Sequence, residues 1–377
     1  MTTFNTETRR IKLVTDKLLK DVHVLPFPYE IDACKRAFST RNVDPTLMKT
    51  LINGEIKPKA GDLVLCEVTR LRQHCRIEQP NGRRNRMFVK DKIIVCYADR
   101  YAPDQFESVV PDNLEACHLV AGGGIASLMR HKSPKVKPAT EIQPLGLIGD
   151  KDGHILNLKS FSTLSYDENA KSTNTPILMV AGSSMNAGKT TTVASLIKGL
   201  RGDGYSVGAA KITGTGSGCD LWHFIDAGAN HAIDFTDAGY ATTYKVEEDK
   251  LLRTFEKMRR HLESKNVDVI IVEIADGILQ GETKSLLESS TLKNATTAMY
   301  YTSGDSSSAI YGSQWLKNIG YDVLAISGVV SSNPLGSQEI NNAEDTPILT
   351  KADLTQAGSG HLLFEKLSQK ACQLKIN

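Results

Sequence analysis

The run Ile177-Leu178-Met179-Val180-Ala181-Gly182-Ser183-Ser184-Met185-Asn186-Ala187-Gly188-Lys189-Thr190-Thr191 constrains the fold more than any other stretch of the chain. Its unbroken apolar start predicts a strand covered on both faces. Small residues then predict a tight turn, and Gly188-Lys189-Thr190 opens a helix. A strand, loop and helix joined in this way turn successive backbone N–H groups inward, where they satisfy phosphate oxygens. Ser183, Ser184, Met185, Asn186, Ala187, Gly188 and Thr191 are therefore candidate nucleotide contacts, with Lys189 assigned to the β- and γ-phosphates and the Thr190 hydroxyl to Mg²⁺. The strict pattern has glycine where Ser183 stands, with Gly182 immediately before it.

Beyond this unit, strand and helix alternate. Residues 206–210, 267–272, 298–301 and 322–327 read as strands, and 189–200, 220–229, 247–262 and 306–319 as helices. Leu251, Leu252, Phe255, Met258 and Leu262 recur at helical spacing. Right-handed crossovers lay such strands side by side in a parallel sheet, with ligands beyond the carboxyl ends. The expected class is α/β: a parallel-sheet P-loop NTPase domain over residues 176–377, joined by a linker at 161–175 to a smaller β-rich domain over 1–160.

The first 160 residues dictate less. Residues 12–20 and 30–38 read as short helices, giving a helical start. From Gly61 onward, β-rich runs at 63–68, 75–78, 87–89 and 93–97 alternate with turns such as Pro80-Asn81-Gly82, predicting a small antiparallel sheet or barrel. Gly122-Gly123-Gly124 reads either as a tight packing turn or as a ligand loop.

At 377 residues the chain exceeds what one core usually supports, which favours two domains. Lys and Arg total 45 against 43 Asp and Glu, so overall charge makes no case for nucleic acid. The local cluster Arg72, Arg76, Arg83, Arg84, Arg86 and Lys90 is interrupted by Glu78 and Asp91 and has only Phe88 and Tyr97 as nearby aromatics, which reads as a solvated face rather than a strand-binding groove. The seven cysteines lack metal-ligand spacing, no signal-peptide pattern opens the chain, and no apolar run reaches the roughly 20 residues that cross a bilayer. A cytoplasmic protein that binds no membrane is expected.

A metal on a polyphosphate needs acidic residues at neighbouring strand ends. Glu273 closes the 267–272 strand and is the leading choice for Mg²⁺ coordination or water positioning, followed by Ile274-Ala275-Asp276-Gly277. Lys211 stands at another strand end before a small-residue loop, where a fixed cation stabilises developing charge. Asp220, Asp234 and Asp237 compete for the remaining metal or substrate role. Cys219 reads as an inert thiol, and His223 and His231 have no ligand spacing.

Residues 176–350 resemble the dethiobiotin synthetase and cobyrinic acid amide synthetase group of P-loop enzymes. The likeness rests on Gly188-Lys189-Thr190, on Lys211 before Thr213-Gly214, and on Val272-Glu273 with Gly277. It implies that Lys189 and Lys211 hold phosphate and a carboxylated substrate, that Thr190, Glu273 and one upstream Asp (Asp220 or Asp237) hold Mg²⁺, and that the protein is a homodimer. The middle segment also resembles the protein that prepares molybdopterin guanine dinucleotide, through Lys211, Asp220, Trp222 and Asp226-Ala227-Gly228-Ala229. Its usual histidines after the lysine are replaced by Thr213, Thr215 and Ser217, and the loop after Glu273 is poorer in glycine than in the synthetases. The N-terminal 160 residues match neither group.

Base identity stays open in the sequence. Thr350-Lys351-Ala352-Asp353 mimics a guanine-reading pattern, while residues 329–333 offer another base-reading loop with Asn333 as donor and acceptor. ATP is favoured over GTP. The leading expectation is an ATP-dependent, ligase-like enzyme that activates a small carboxylate or carbamate; the other is a nucleotide-hydrolysing binding or delivery protein for a cofactor or protein partner.

Overall fold

The computed structural model describes residues 22–373 apart from 168, 170–172 and 174, so the helix expected over 12–20 lies outside the described residues. The chain divides into two compact units. One runs to Thr163 and also takes in Thr215–Gly218 and Gly239–Thr242; the other holds Leu164–Gly214, Cys219–Ala238 and the chain from Thr243 onward.

The first unit is built from β1 (Val22–Pro26), β2 (Lys35–Arg36), β3 (Thr50–Gly54), β4 (Leu63–Arg70), β5 (Arg76–Glu78), β6 (Arg84–Arg86), β7 (Lys92–Tyr97), β8 (Arg100–Tyr101), β9 (Phe106–Val109), β10 (Cys117–Ala121), β11 (Ile125–Lys132) and β12 (Thr140–Gly149). A mostly antiparallel sheet runs β1-β3-β12-β4-β7-β11-β9-β8, with β10 on β11 and β12, β2 on β7, and β5–β6 as a separate hairpin. The sheet is buried on both faces, because alternate residues of a strand enter opposite cores. On β4, Leu63 and Leu65 enter one core while Val64, Cys66 and Val68 enter the other.

The helix expected over 30–38 does not form. Short 3₁₀ turns at Ile31–Ala33 and Phe38–Thr40 flank β2, which pairs in parallel with β7, and Ala37 N–H donates to Ile94 O. Tertiary pairing has overridden local helical preference. The strand expected over 87–89 lies instead at Arg84–Arg86; Met87 is buried, and Lys90, with a left-handed φ of 76°, belongs to the turn that follows. The three-glycine segment is a packing turn, since a Cβ on Gly123 would come within 2.0 Å of the Gly216 carbonyl oxygen.

The second unit is a six-stranded parallel sheet made of β13 (Ile177–Gly182), β14 (Val207–Lys211), β15 (His231–Asp234), β16 (Val269–Glu273), β17 (Ala298–Thr302) and β18 (Val323–Ser327), in the order β15-β14-β16-β13-β17-β18. Its helices are α1 (Lys189–Gly202), α2 (Cys219–Asp226), α3 (Glu248–Glu263), α4 (Gly281–Glu288), α5 (Ser290–Ala295), α6 (Ser306–Asn318), α7 (Pro334–Asn341), α8 (Lys351–Thr355) and α9 (Ser359–Gln373).

Strand alternation distributes these helices over the two faces. Met179 and Ala181 of β13 pack with Phe255 and Leu262 of α3, Leu286 of α4 and Leu316 of α6. Leu178 and Val180 face Leu196 and Leu200 of α1, Phe224 of α2 and Leu367 of α9. The expected α/β class with a β-rich N-terminal region is thus the observed one. Among the described residues, no helix is long and apolar enough to cross a membrane.

Candidate functional site

The chain leaves β13 in the middle of the parallel sheet, crosses over through α1 and returns on β14, beyond β16. The carboxyl end of β13 is thereby placed at a reversal of winding direction, where open α/β sheets bind ligands.

Loop 183–188 joins β13 to α1. Gly188 takes φ +98°, and a Cβ there would lie 2.9 Å from Gly328 Cα, so both conformation and space require glycine. Ser183 has no such left-handed backbone, which is why a side chain is tolerated where the strict pattern has glycine. Its N–H donates to Thr302 O at 2.9 Å, and Ala187 N–H donates to Ser184 O at 3.3 Å.

The other helices of comparable length in this unit have side-chain or acidic starts; α6, for example, is capped by Asp305. In contrast, α1 begins at Gly188 with no side-chain cap and no acidic residue in its first turn. Its first ladder bond runs from Thr192 N–H to Gly188 O, so the amides of Lys189, Thr190 and Thr191 precede the ladder. An uncapped helix start with a positive dipole end favours an anion.

Around this start the sheet register assembles charge. Lys211 on β14 lies opposite Glu273 on β16, and Glu273 lies opposite Val180 on β13. Lys211 Nζ bonds the Asp220 carboxylate and stands 3.5 Å from Glu273 Oε1. Thr190 Oγ1 donates toward Asp220 Oδ1 at 3.1 Å and Glu273 Oε1 at 3.3 Å. Lys189 is 3% exposed, and its ammonium donates to Ser184 O at 2.7 Å.

These groups perturb one another. Burial lowers the Lys189 pKa, only partly offset by Glu273. Burial would lower Lys211 as well, but Asp220 and Glu273 outweigh it and hold the ammonium above its usual range. Burial raises the Glu273 carboxyl despite Lys211, whereas Lys211 and Thr190 outweigh burial at Asp220 and lower it.

Among the sequence candidates, Lys189, Thr190, Lys211, Asp220 and Glu273 meet in one cluster. Asp237 has a different use: its Oδ2 accepts from the Asp234 amide at 3.0 Å, while Asp234 accepts from Thr236 N at 2.8 Å. These bonds close the turn after β15. Residues 329–332 form a 3₁₀ turn beside the loop, with Val329 N–H on Ala187 O. Asn333 caps α7 through its carboxamide oxygen, which accepts from Leu335 and Gly336. Thr350 and Asp353 form a reciprocal capping box on α8.

Two contributors carried weak sequence signals. The half-buried Asp276 interacts electrostatically with both Lys189 and Lys211; its nearness to Glu273 in sequence was the only hint. Thr213 is buried and bridges Ala275, donating to its carbonyl and accepting its N–H at 2.8 Å. That bridge fixes the segment after Glu273, which is also tied to β13 by Ile274 N–H to Val180 O and Ile278 N–H to Gly182 O, both 3.0 Å.

This strand, loop, uncapped helix and paired lysines define the second unit as a nucleotide-binding domain of the P-loop NTPase type. Residues 177–277 match the family described as MobB, molybdopterin guanine dinucleotide synthesis protein B. No curated protein matches the chain. Among solved structures, the chain is similar to the signal recognition particle receptor FtsY from Elizabethkingia anophelis in complex with GDP, at 16% identity over 56% of this chain and 69% of that one, with a TM-score of 0.35. It is also similar to the kinase domain of Escherichia coli tyrosine kinase ETK, at 12% identity over 41% and 68% of the two chains, with a TM-score of 0.31.

Proposed function

We propose that this protein is a Mg²⁺-dependent enzyme that transfers the γ-phosphoryl group of ATP, with GTP as the other candidate donor, to a small carboxylate or carbamate. The observation that carries this reading is the second buried lysine, Lys211, held in the same cluster as Lys189 by two carboxylates. A simple phosphate cradle needs one lysine; a second cation at a strand end suits an anionic acceptor.

The residues also suit a divalent cation. Glu273 is 1% exposed, and its Oε2 has no hydrogen-bond partner. A buried carboxylate oxygen left in this way is unfavourable unless a cation or donor meets it. Thr190 Oγ1, Asp220 and Glu273 would hold Mg²⁺, which when bound would neutralise phosphate charge.

In the reaction, a carboxylate oxygen attacks the γ-phosphorus, the bond to the β–γ bridging oxygen breaks, and the nucleoside diphosphate leaves with that electron pair. Lys189 exchanges its Ser184 carbonyl for phosphate oxygens. Lys211 aligns the attacking oxygen, and positioning supplies most of the acceleration. Lys189→Ala is expected to lower nucleoside diphosphate formation about 100-fold or more, the order found when one transition-state donor is removed. Unchanged turnover in that variant would sink the reading.

A second reading, a nucleotide-controlled binding or delivery protein for a cofactor, draws support from the match of residues 177–277 to MobB. Stimulation of hydrolysis by members of a small-carboxylate panel favours the enzyme. Stimulation only by a macromolecule favours delivery.

A further inference from the structure

The loop between Lys211 and Asp220 is gripped at its middle. Thr215–Gly218 belong to the first unit, although the residues on either side belong to the second. Within the first unit, Glu78 at the end of β5 is 3% exposed, and its Oε2 accepts from both Ser217 Oγ and Gly218 N–H at 3.1 Å. Glu78 is itself fixed by its own N–H, which donates to Gly122 O at 2.8 Å. Gly123, next along that turn, lies against the Gly216 backbone so closely that no side chain fits. Gly216 N–H donates to Ala241 O at 2.8 Å, and Thr215 bridges Thr242.

The clamp ends where the site begins. Gly218 is followed directly by Cys219, the first residue of α2, and by Asp220, which contacts Thr190 and Lys211. A buried carboxylate accepting two donors is a stiff anchor, since charge-assisted bonds are about twice as strong as neutral ones. Residues 212–216 on one side and Cys219 on the other are all that separate this anchor from the two charged groups.

We propose that Glu78 is a positioning residue for Asp220: by holding Ser217 and Gly218, it sets where α2 starts and hence where the Asp220 carboxylate stands relative to Thr190. This rests on the reading above that Asp220 serves the nucleotide site. It also explains a buried acidic residue in an otherwise basic hairpin.

The test compares full-length wild type, Glu78→Ala, Glu78→Gln and Lys189→Ala for nucleotide turnover, Mg²⁺ dependence and amide hydrogen exchange over residues 218–221. Displacements of about 1 Å can lower rates by about 100-fold. Glu78→Ala is expected to lower kcat at least tenfold with nucleotide KM within about twofold, to raise the Mg²⁺ concentration required, and to speed exchange at 218–221. Glu78→Gln keeps an acceptor oxygen and should restore most of the loss. Should Glu78→Ala fail to fold, Ser217→Ala removes one donor and is expected to give a smaller change of the same kind.

Wild-type kcat and exchange in Glu78→Ala (or in Ser217→Ala, if that variant stands in), or equal impairment in Glu78→Ala and Glu78→Gln, overturns the proposal. If Lys189→Ala is inactive while Glu78→Ala is normal, only the positioning role fails. If Lys189→Ala retains full turnover, the nucleotide reading fails with it.

Discussion

Replacing Lys211 by methionine tests the electrostatics of the site directly. Glu273 is 1% exposed, and the ammonium 3.5 Å from its Oε1 is its nearest compensating charge. At an effective dielectric of about 20, that separation corresponds to about 5 kcal/mol of attraction. Removing the lysine also removes its own desolvation penalty, so the net loss expected for breaking a buried pair is about 3–5 kcal/mol. Both tryptophans, Trp222 on α2 and Trp315 on α6, lie in the second unit, so urea denaturation followed by tryptophan fluorescence reports on this unit. The pH dependence has a definite sign. The folded-state pKa of Glu273 is raised above its ordinary 4.5, and loss of Lys211 raises it further. A carboxyl with a raised folded pKa penalises the fold when ionised. The deficit of Lys211→Met is therefore full above the folded pKa and shrinks as pH falls toward 4.5. A variant within about 1 kcal/mol of wild type at pH 7, or a deficit that does not narrow on acidification, would refute a paired buried charge.

Three further outcomes are expected. Asp353→Ala removes half of the capping box on α8 and should cost about 1 kcal/mol without altering the ATP-to-GTP turnover ratio; a switch in that ratio would mean that residues 350–353 read the base after all. His74 is partly buried, with Nε2 3.0 Å from Val120 O, and the desolvation of its ring lowers its pKa to about 4. Because the unfolded chain binds its proton near pH 6.5, this residue makes stability fall between pH 6.5 and about 4; an NMR titration midpoint for His74 near 6.5 would contradict the burial. Gly123→Ala should destabilise the first unit by at least about 1–3 kcal/mol, because the new Cβ meets Gly216 backbone rather than a movable side chain, and an unchanged melting profile would exclude that packing.

The parallel-sheet domain was legible because its local signals agree with one another. The buried strand 177–182, the Gly188-Lys189-Thr190 helix start and the apolar spacing of 251–262 each announce their element without tertiary help. Lys211 and Glu273 were legible for the same reason: each closes a strand, and strand ends are where a parallel sheet binds ligands. The segment 30–38 was misread because its helical preference is weak, and pairing of β2 with β7, some 60 residues away in the chain, decides its shape. Thr350-Lys351-Ala352-Asp353 illustrates a different failure, since a capping box and a base-reading motif use the same residue types at the same spacing.

What the chain alone determined is the strand, tight loop and uncapped helix start over residues 177–202, because a run of consecutive amides of this kind needs nothing distant in sequence. What only the tertiary structure decided is which acidic residue joins Thr190 and Glu273. Asp220, Asp234 and Asp237 are alike as residues, and register together with the start of α2 brings Asp220 to Lys211, while Asp234 and Asp237 close a turn of their own. Side-chain chemistry sets what a carboxylate can do, but its partners are fixed by packing between segments that no local pattern encodes.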